Sequence, residues 1–490
     1  MERRRPAAGA GARTIPELLC ACADRRRDSV VMVESGGEAV TGGELLDRVS
    51  RGAGLLASRG VRAGDQVAVD TRSMGWVDVA AAYLSVTWLG ATAVVMPGVR
   101  RSDEHGLLDA RWMVGEEASD AGVGVIAPGE LRGAPAASPA PAARPGGVLD
   151  VLYTSGSTGR PKAVVSRHAQ WAMALRTEVL AARAGRPVAH RGVPIGVSAG
   201  IHGVMLGHLA RGATSVHVRA MRDLAAAAEE WHVAELHLSP NSAREVLLAT
   251  DEVERPWAQE VRTVRVVGGP LTTDLGLRLT AAFPKARIVS FYGLVEAGAA
   301  QCMKVFDPER PDSIGRPLPG TELRLVDEAG NEVSRGEVGE LLVRNAGIQP
   351  LRYHGDEALN SAAFVGEWVR TGDLGTIGED GEVRLVGRSK ELLFLKTRRI
   401  APHVVEDILA RSVPPGVEFV VLGLPTGSWD EIAVCVAGSG PPEEVAAAVA
   451  ALERVKGPFR PGVVRVVPEI PRAPNGKPLR RLLAEQLSAR

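Results

Sequence analysis

The stretch that most narrows the fold is a short apolar run, Val148 to Tyr153, that breaks directly into Thr154-Ser155-Gly156-Ser157-Thr158-Gly159-Arg160-Pro161-Lys162. A run of this length bounded by turn residues reads as a buried strand. The loop behind it has a consistent chemistry. Small residues let the backbone approach an anion, hydroxyls and N–H groups supply donors, and Lys162 supplies positive charge. That combination suits a polyphosphate. It is not the Walker pattern, which needs four residues between its glycines and ends in Gly-Lys-Ser/Thr.

The flanking sequence fits the same class. Residues 1 to about 13 read as disordered. A helix is expected from Thr41 to Arg59, with Thr41 and Glu44 spaced as a capping box. The turn from Gly60 to Gln66 leads to a strand at Val67–Asp70, a helix from about Trp76 to Leu89 and a strand at Thr92–Met96. Strand–helix–strand repetition argues for a parallel sheet with crossover helices. The Ala/Pro-rich stretch Gly133–Gly147 reads as a flexible connection. Beyond the loop, Arg167–Ala182 reads as a helix. Two strands then end in turns, Gly268-Gly269-Pro270 and Phe291-Tyr292-Gly293-Leu294, at the strand ends where open α/β sheets bind ligands. A strand at Val338–Val343 among short β segments suggests a small barrel-like subdomain. Strands near Glu418–Leu424 and Ile432–Ala437 and a helix at Glu443–Lys456 follow.

At 490 residues the chain is too long for one core. Lys+Arg and Asp+Glu both number 58, so no bulk attraction to nucleic acid is implied. No run reaches the roughly 18 apolar residues that span a bilayer, so no membrane insertion is expected. The start has no apolar core suited to export. Cys20, Cys22, Cys302 and Cys435 form neither a metal-like pair of pairs nor a disulfide framework, consistent with a cytoplasmic protein.

Read in order, five motifs over nearly the whole chain resemble those of the adenylate-forming superfamily: acyl-CoA synthetases, luciferases and peptide-synthetase adenylation domains. The resemblance implies an α/β fold. Its large N-terminal domain, residues 1–386, would bind ATP and acid, and a small mobile domain, residues 387–490, would hinge near Lys390. It implies that Thr154 to Gly159 and Lys162 hold phosphates, and that Gly268, Gly269, Pro270, Phe291, Tyr292 and Gly293 wall the adenine. Tyr292 would stack on the base. Glu296, with Thr158, would hold Mg²⁺, a suitable hard oxygen site. Asp373, in Trp368-Val-Arg-Thr-Gly-Asp-Leu-Gly375, would accept the ribose hydroxyls, and Arg388 would contact ribose or phosphate. Lys477, in Pro471-Arg-Ala-Pro-Asn-Gly-Lys477, would neutralise charge developing on the α-phosphate. Gly196, Val197, Ser198, Ala199, His202 and Leu294 would line the acid pocket.

Four departures qualify the match. Gly196 and Val197 replace an aromatic or His gate. No Asp or Glu lies between Val193 and Met205, which disfavours an α-amino acid because a buried ammonium without a carboxylate is costly. Val295 replaces a Thr or Ala, and Thr397 replaces a Gly that lets the small domain pass the pantetheine arm. The implied activity is ATP-dependent conversion of an aryl or acyl acid to acyl-AMP, then transfer to CoA or a phosphopantetheine acyl carrier protein. The alternatives are transfer to a nitrogen nucleophile, prompted by Thr397, and a non-catalytic nucleotide-binding scaffold.

Overall fold

A computed structural model describes residues 11–96, 110–116, 123–135, 139–154, 162–176, 186–250, 256–310, 313–396, 398–414, 417–472 and 477–488. Thr397 and the loop Ser155–Pro161, including Thr158, therefore lie outside the described residues.

Local rules act where the sequence predicted them. The helix Gly42–Ser58 starts at Thr41, whose hydroxyl accepts from the Glu44 N–H while the Glu44 carboxylate accepts from the Thr41 N–H. The helix Trp76–Trp88 is buried on nearly all sides, as its mostly apolar sequence requires. It lies between two sheets. One has six strands in the order Gly124–Ile126, Trp112–Val114, Gln66–Asp70, Thr92–Met96, Val148–Thr154, Lys162–Arg167. The last pair is an antiparallel hairpin that sets Thr154 opposite Lys162 and so closes the phosphate-loop candidate at its base.

The other sheet has a parallel half, in the order Val30–Glu34, Ser215–His217, Val188–Arg191, Glu235–Leu238, Thr263–Val266, Arg287–Leu294. Beyond Arg287–Leu294 it turns antiparallel through Ala299–Val305, Ser313–Pro317, Val383–Arg388, Trp368–Ile377, Gly339–Asn345 and Thr321–Val326. These antiparallel strands are the β array anticipated around Val338–Val343. The large core runs under both sheets, from Ile15 through Trp76 and Tyr83 to Val383.

Residues 389–488 carry separate small cores around the strands Phe419–Pro425, Asp430–Ala437 and Val463–Val467 and the helices Pro402–Ala410 and Pro442–Glu453. Two sequence readings change and two elements are new. The strand Lys162–Arg167 starts at the residue that closes the loop and was not anticipated in the sequence. The helix begins at His168 and ends at Ala174, with Arg167 as its N-cap, and 177–185 lie outside the described residues. The stretch 139–147 is irregular but tied down, since the Trp88 indole N–H donates to the Pro139 carbonyl at 2.7 Å. Finally, Ala199–Leu206 is a π-helix. No described helix is long and apolar enough to cross a membrane.

Candidate active site

Because the six parallel strands run side by side, the turns at their carboxyl ends share one edge. Gly268 adopts φ +83°, a conformation that disfavours a side chain, and a Cβ on Gly269 would meet Pro240 Cγ at 3.0 Å. The turns after Thr263–Val266 and Glu235–Leu238 thus abut. Next along the edge, the strand Arg287–Leu294 bulges between Tyr292 and Gly293, and a bulge re-aims side chains. The Tyr292 hydroxyl donates to Asp373 Oδ2 at 2.5 Å.

Asp373 is opposite Arg388 in the register of the antiparallel strands, and Arg388 Nε lies 3.2 Å from its Oδ1. Its backbone N–H donates to Thr371 Oγ1 at 3.0 Å. Burial and the neighbouring Asp373 carboxylate push the Tyr292 hydroxyl well above its ordinary pKa, so it remains a donor. Burial works against the Arg388 charge, but Asp373, then Glu391, Tyr292 and Glu296, outweigh it and raise its pKa.

A second cluster forms where Arg352–His354 adds onto the strand Lys162–Arg167. The Val165 N–H donates to the Arg352 carbonyl at 2.9 Å and the His354 N–H to the Ala163 carbonyl at 2.8 Å. This seats the Tyr353 ring 4.8 Å from Lys162 Nζ. The Tyr353 hydroxyl donates to Glu296 Oε1 at 2.7 Å, and the Leu351 N–H donates to the Glu296 carbonyl at 2.8 Å. Burial, then Glu296, raises the Tyr353 pKa. Tyr353 was not singled out in the sequence. An isolated Tyr in a coil carries no local signal, and its role comes entirely from this pairing.

Lys477 reaches the same place from the far end of the chain. Crowding by the surrounding protein and the Arg388 charge lower its pKa, against Asp373, Glu391 and Glu296, which raise it. Its side chain still meets solvent, so this is an open, crowded cleft and not a dry interior. The structure thus brings together Lys162, Tyr292, Glu296, Asp373, Arg388 and Lys477. Lys390 is exposed two residues after Arg388. Among the described residues no group of three or more His, Cys, Asp or Glu could hold a metal alone. Glu296 fits Mg²⁺ only as one carboxylate sharing the ion with substrate phosphates, the usual Mg²⁺ arrangement.

The acid-side residues divide. Gly196 and His202 are buried, while Val197, Ser198, Ala199 and Leu294 are half-buried. Ile195, Ala199, Val267, Tyr292 and Leu294 pack on one core. His202 Nε2 bonds Asp150 Oδ2 at 2.6 Å. The carboxylate that His202 meets comes from the strand Val148–Thr154.

A model of the AMP-binding enzyme family matches residues 101–350. A 4-chlorobenzoate–CoA ligase from Arthrobacter sp is 30% identical, covering 97% of this chain and 96% of its own length. The chain belongs to the AMP-binding enzymes, the adenylate-forming superfamily. Like the other members of this family that it matches, it is an AMP-forming ligase of the acyl-CoA synthetase kind. A 4-coumarate–CoA ligase-like protein of Oryza sativa subsp. japonica is 29% identical over 97% of this chain and 93% of its own. In fold, an anthranilate CoA ligase solved in complex with anthranoyl-AMP superposes with a TM-score of 0.82 at 20% identity, covering 97% of this chain and 98% of that one.

Proposed function

We propose that this AMP-binding enzyme activates an aryl or acyl carboxylic acid with ATP, releasing pyrophosphate, and passes the acyl group from acyl-AMP to the thiol of CoA or of a carrier protein. The observation that carries the reading is the meeting of Lys477, from the last residues of the chain, with Asp373, Arg388 and Glu296 of the main body. That posture suits attack of a carboxylate on the α-phosphorus, in which the C–O–P bond forms and the P–O bond to pyrophosphate breaks. No protein nucleophile is needed; positioning and charge carry the step.

Asp373 receives the ribose hydroxyls, exchanging its hydrogen bond with Tyr292, which is freed to lie against adenine. Arg388 pairs with Asp373 and meets the phosphates, and Lys162, at the base of the loop, meets the outer ones. Glu296, oriented by Tyr353, would hold Mg²⁺, which would supply charge neutralisation on the phosphates. Lys477 faces the charge that builds between carboxylate and α-phosphate. We also infer a division into residues 1–386 and 387–490. Rotation of the smaller part about Lys390 withdraws Lys477 and admits the thiol.

The test is pyrophosphate release with ATP and Mg²⁺ over aryl, fatty and amino acids. Each positive acid is then rerun with CoA, a carrier protein or an amine, and the product is followed by mass. A thioester is expected. An amide without thioester would transfer the reading to a nitrogen acceptor, which Thr397 favours in the sequence. Silence over the panel would overturn the activity.

A further inference from the structure

The hairpin that carries Lys162 has a register that its apolar residues do not choose. The strand Val148–Thr154 is buried on both faces from Leu149 to Tyr153, so its own pattern favours no alignment of the partner strand. In that partner, Lys162–Arg167, side chains alternate between faces. Lys162, Val164 and Ser166 share one face, and Ala163, Val165 and Arg167 share the other. Apolar content favours burying Ala163 and Val165. The structure does the reverse: Val164 and Ser166 are buried, while Ala163 and Val165 are half-buried.

What the observed register satisfies is a buried carboxylate. Asp150 stands opposite Ser166, as Leu152 does opposite Val164 and Thr154 opposite Lys162. Asp150 accepts a hydrogen bond from Ser166 Oγ across the hairpin, and others from Tyr83 Oη at 2.6 Å and His202 Nε2 at 2.6 Å. Tyr83 comes from the helix Trp76–Trp88 and His202 from the π-helix Ala199–Leu206. The Trp171 ring stacks on the imidazole, with centroids 3.7 Å apart. A slip of one residue would turn every side chain of Lys162–Arg167 to the other face. Ser166 would leave Asp150, and a buried acceptor would lose its cross-strand donor, a costly arrangement. A single buried polar residue fixes register in coiled coils by the same logic. The ladder is regular from Asp150 to Thr154 and shifts only beyond it, between Val148 and Asp150. Asp150 is thus the last fixed pair before the slack.

This register reaches the nucleotide residues by direct contacts. It sets Lys162 Nζ 4.8 Å from the Tyr353 ring, whose hydroxyl donates to Glu296 at 2.7 Å. It also places Val164 against Tyr353, between the Val165 bond to the Arg352 carbonyl and the His354 bond to the Ala163 carbonyl. A slipped strand would turn Lys162 away from Tyr353 and Glu296.

We propose that Asp150, through its hydrogen bond to Ser166, is a positioning residue for ATP binding that pins the hairpin in the register keeping Lys162 on the nucleotide side. Tyr83 and His202 hold its carboxylate in place from the helices. The inference rests on the reading of Lys162 as a phosphate contact.

The experiment reads ATP affinity by calorimetry, which needs no acid substrate, beside the melting temperature. Lys162→Ala sets the scale, binding ATP about ten- to a hundredfold more weakly, the range of one hydrogen bond to a charged group. Tyr83→Phe/Asp150→Leu/His202→Leu removes the carboxylate together with the groups that face it from the helices. It should melt close to wild type, as apolar replacement of a buried pair commonly does, yet bind ATP as weakly as Lys162→Ala. Adding Ser166→Val makes the buried face of the strand the more apolar one, so burial then chooses the register, and ATP affinity should return. A merely structural or electrostatic role for Asp150 predicts no such return. If the triple variant does not fold, two single substitutions decide. Ser166→Ala should weaken ATP binding with little change in melting, and Asp150→Asn, whose amide oxygen still accepts from Ser166, should keep it. Wild-type ATP affinity in the triple variant, or in Ser166→Ala where the triple does not fold, overturns the proposal. Failure of Ser166→Val to restore binding does so too. Unchanged ATP binding in Lys162→Ala overturns the phosphate reading of that lysine, and the proposal falls with it.

Discussion

Lys477 and Arg388 are two cations in one cleft, and their pKa values move in opposite directions for reasons visible in their neighbours. Arg388 has the Asp373 carboxylate at 3.2 Å, and its charge is reinforced. Lys477 is crowded by protein and repelled by Arg388, so its ammonium is held more weakly than an ordinary lysine's. A charge that is poorly stabilised at rest gains most when negative charge develops beside it, which is how differential stabilisation lowers a barrier. Lys477→Ala is expected to lower acid-dependent pyrophosphate release by about two to three orders of magnitude, with ATP affinity by calorimetry nearly unchanged. The sign of the pH effect follows from the direction of the shift. The ammonium is lost as pH rises through a value below the ordinary lysine pKa, so wild-type activity should fall on the alkaline side earlier than that. Lys477→Arg should remove the early fall. Equal turnover in Lys477→Ala and wild type would take the role from this residue.

At the scale of elements, the junction after the strand Val383–Arg388 is the least tolerant place in the site. Gly387 adopts φ +139°, where L side chains are strained, and a Cβ there would lie 2.6 Å from Ala401 Cβ and 2.7 Å from Leu392 Cδ2. Both neighbours are buried, and the segment joins the catalytic strand to the small cores beyond. Gly387→Ala should therefore displace either Arg388 or the start of the Pro402–Ala410 helix. The expected cost is about 1–3 kcal/mol in stability and at least a tenfold loss of pyrophosphate release. A variant with wild-type melting and turnover would show that the junction yields freely.

The contrast with Thr41 explains what the sequence made legible. The capping box needs residues three apart, and it formed as read. Gly268, Tyr292, Asp373 and Arg388 were also readable, because each sits at the end of a strand or in a short motif whose order is fixed. The Asp150–His202 pair was not. Its members are 52 positions apart and on different layers, so no local period or spacing joins them. The strand Lys162–Arg167 was hidden for a related reason, since its partner strand and the added Arg352–His354 segment define it more than its own six residues do.

Across the whole molecule, the parallel half of the large sheet buries a row of histidines that the proposed chemistry does not use. His217, His190 and His237 are register neighbours on three adjacent strands, followed in the row by Arg265. His208 packs its ring 5.7 Å from that of His237 and 5.9 Å from that of His190. Trp76 covers His190 at 4.6 Å. The facing charges are mostly positive: Arg211 and Arg265 reach His208 and His237, and Arg191 and Arg219 reach His217, while Glu235 pairs with Arg265 and Arg211. Burial first, and these cations second, lower the pKa of His217 to about 4 and of His237 to about 3, and His190 and His208 fall well below the ordinary value. The unfolded chain binds protons near pH 6.5, which the folded chain refuses until far lower pH. Stability is therefore full above about pH 6.5 and is lost as pH falls, by up to about 1.4 kcal/mol per unit for each such histidine. Carboxylates titrate mostly below pH 5, so the window between pH 5 and 6.5 isolates the histidines. The urea midpoint should decline steadily across that window, and the decline should be shallower when His217, the most accessible of the row, is replaced by Gln. A midpoint that stays flat from pH 6.5 to 5 would mean that these rings carry protons in the folded protein, and that the interior of the sheet is wetter than its packing indicates.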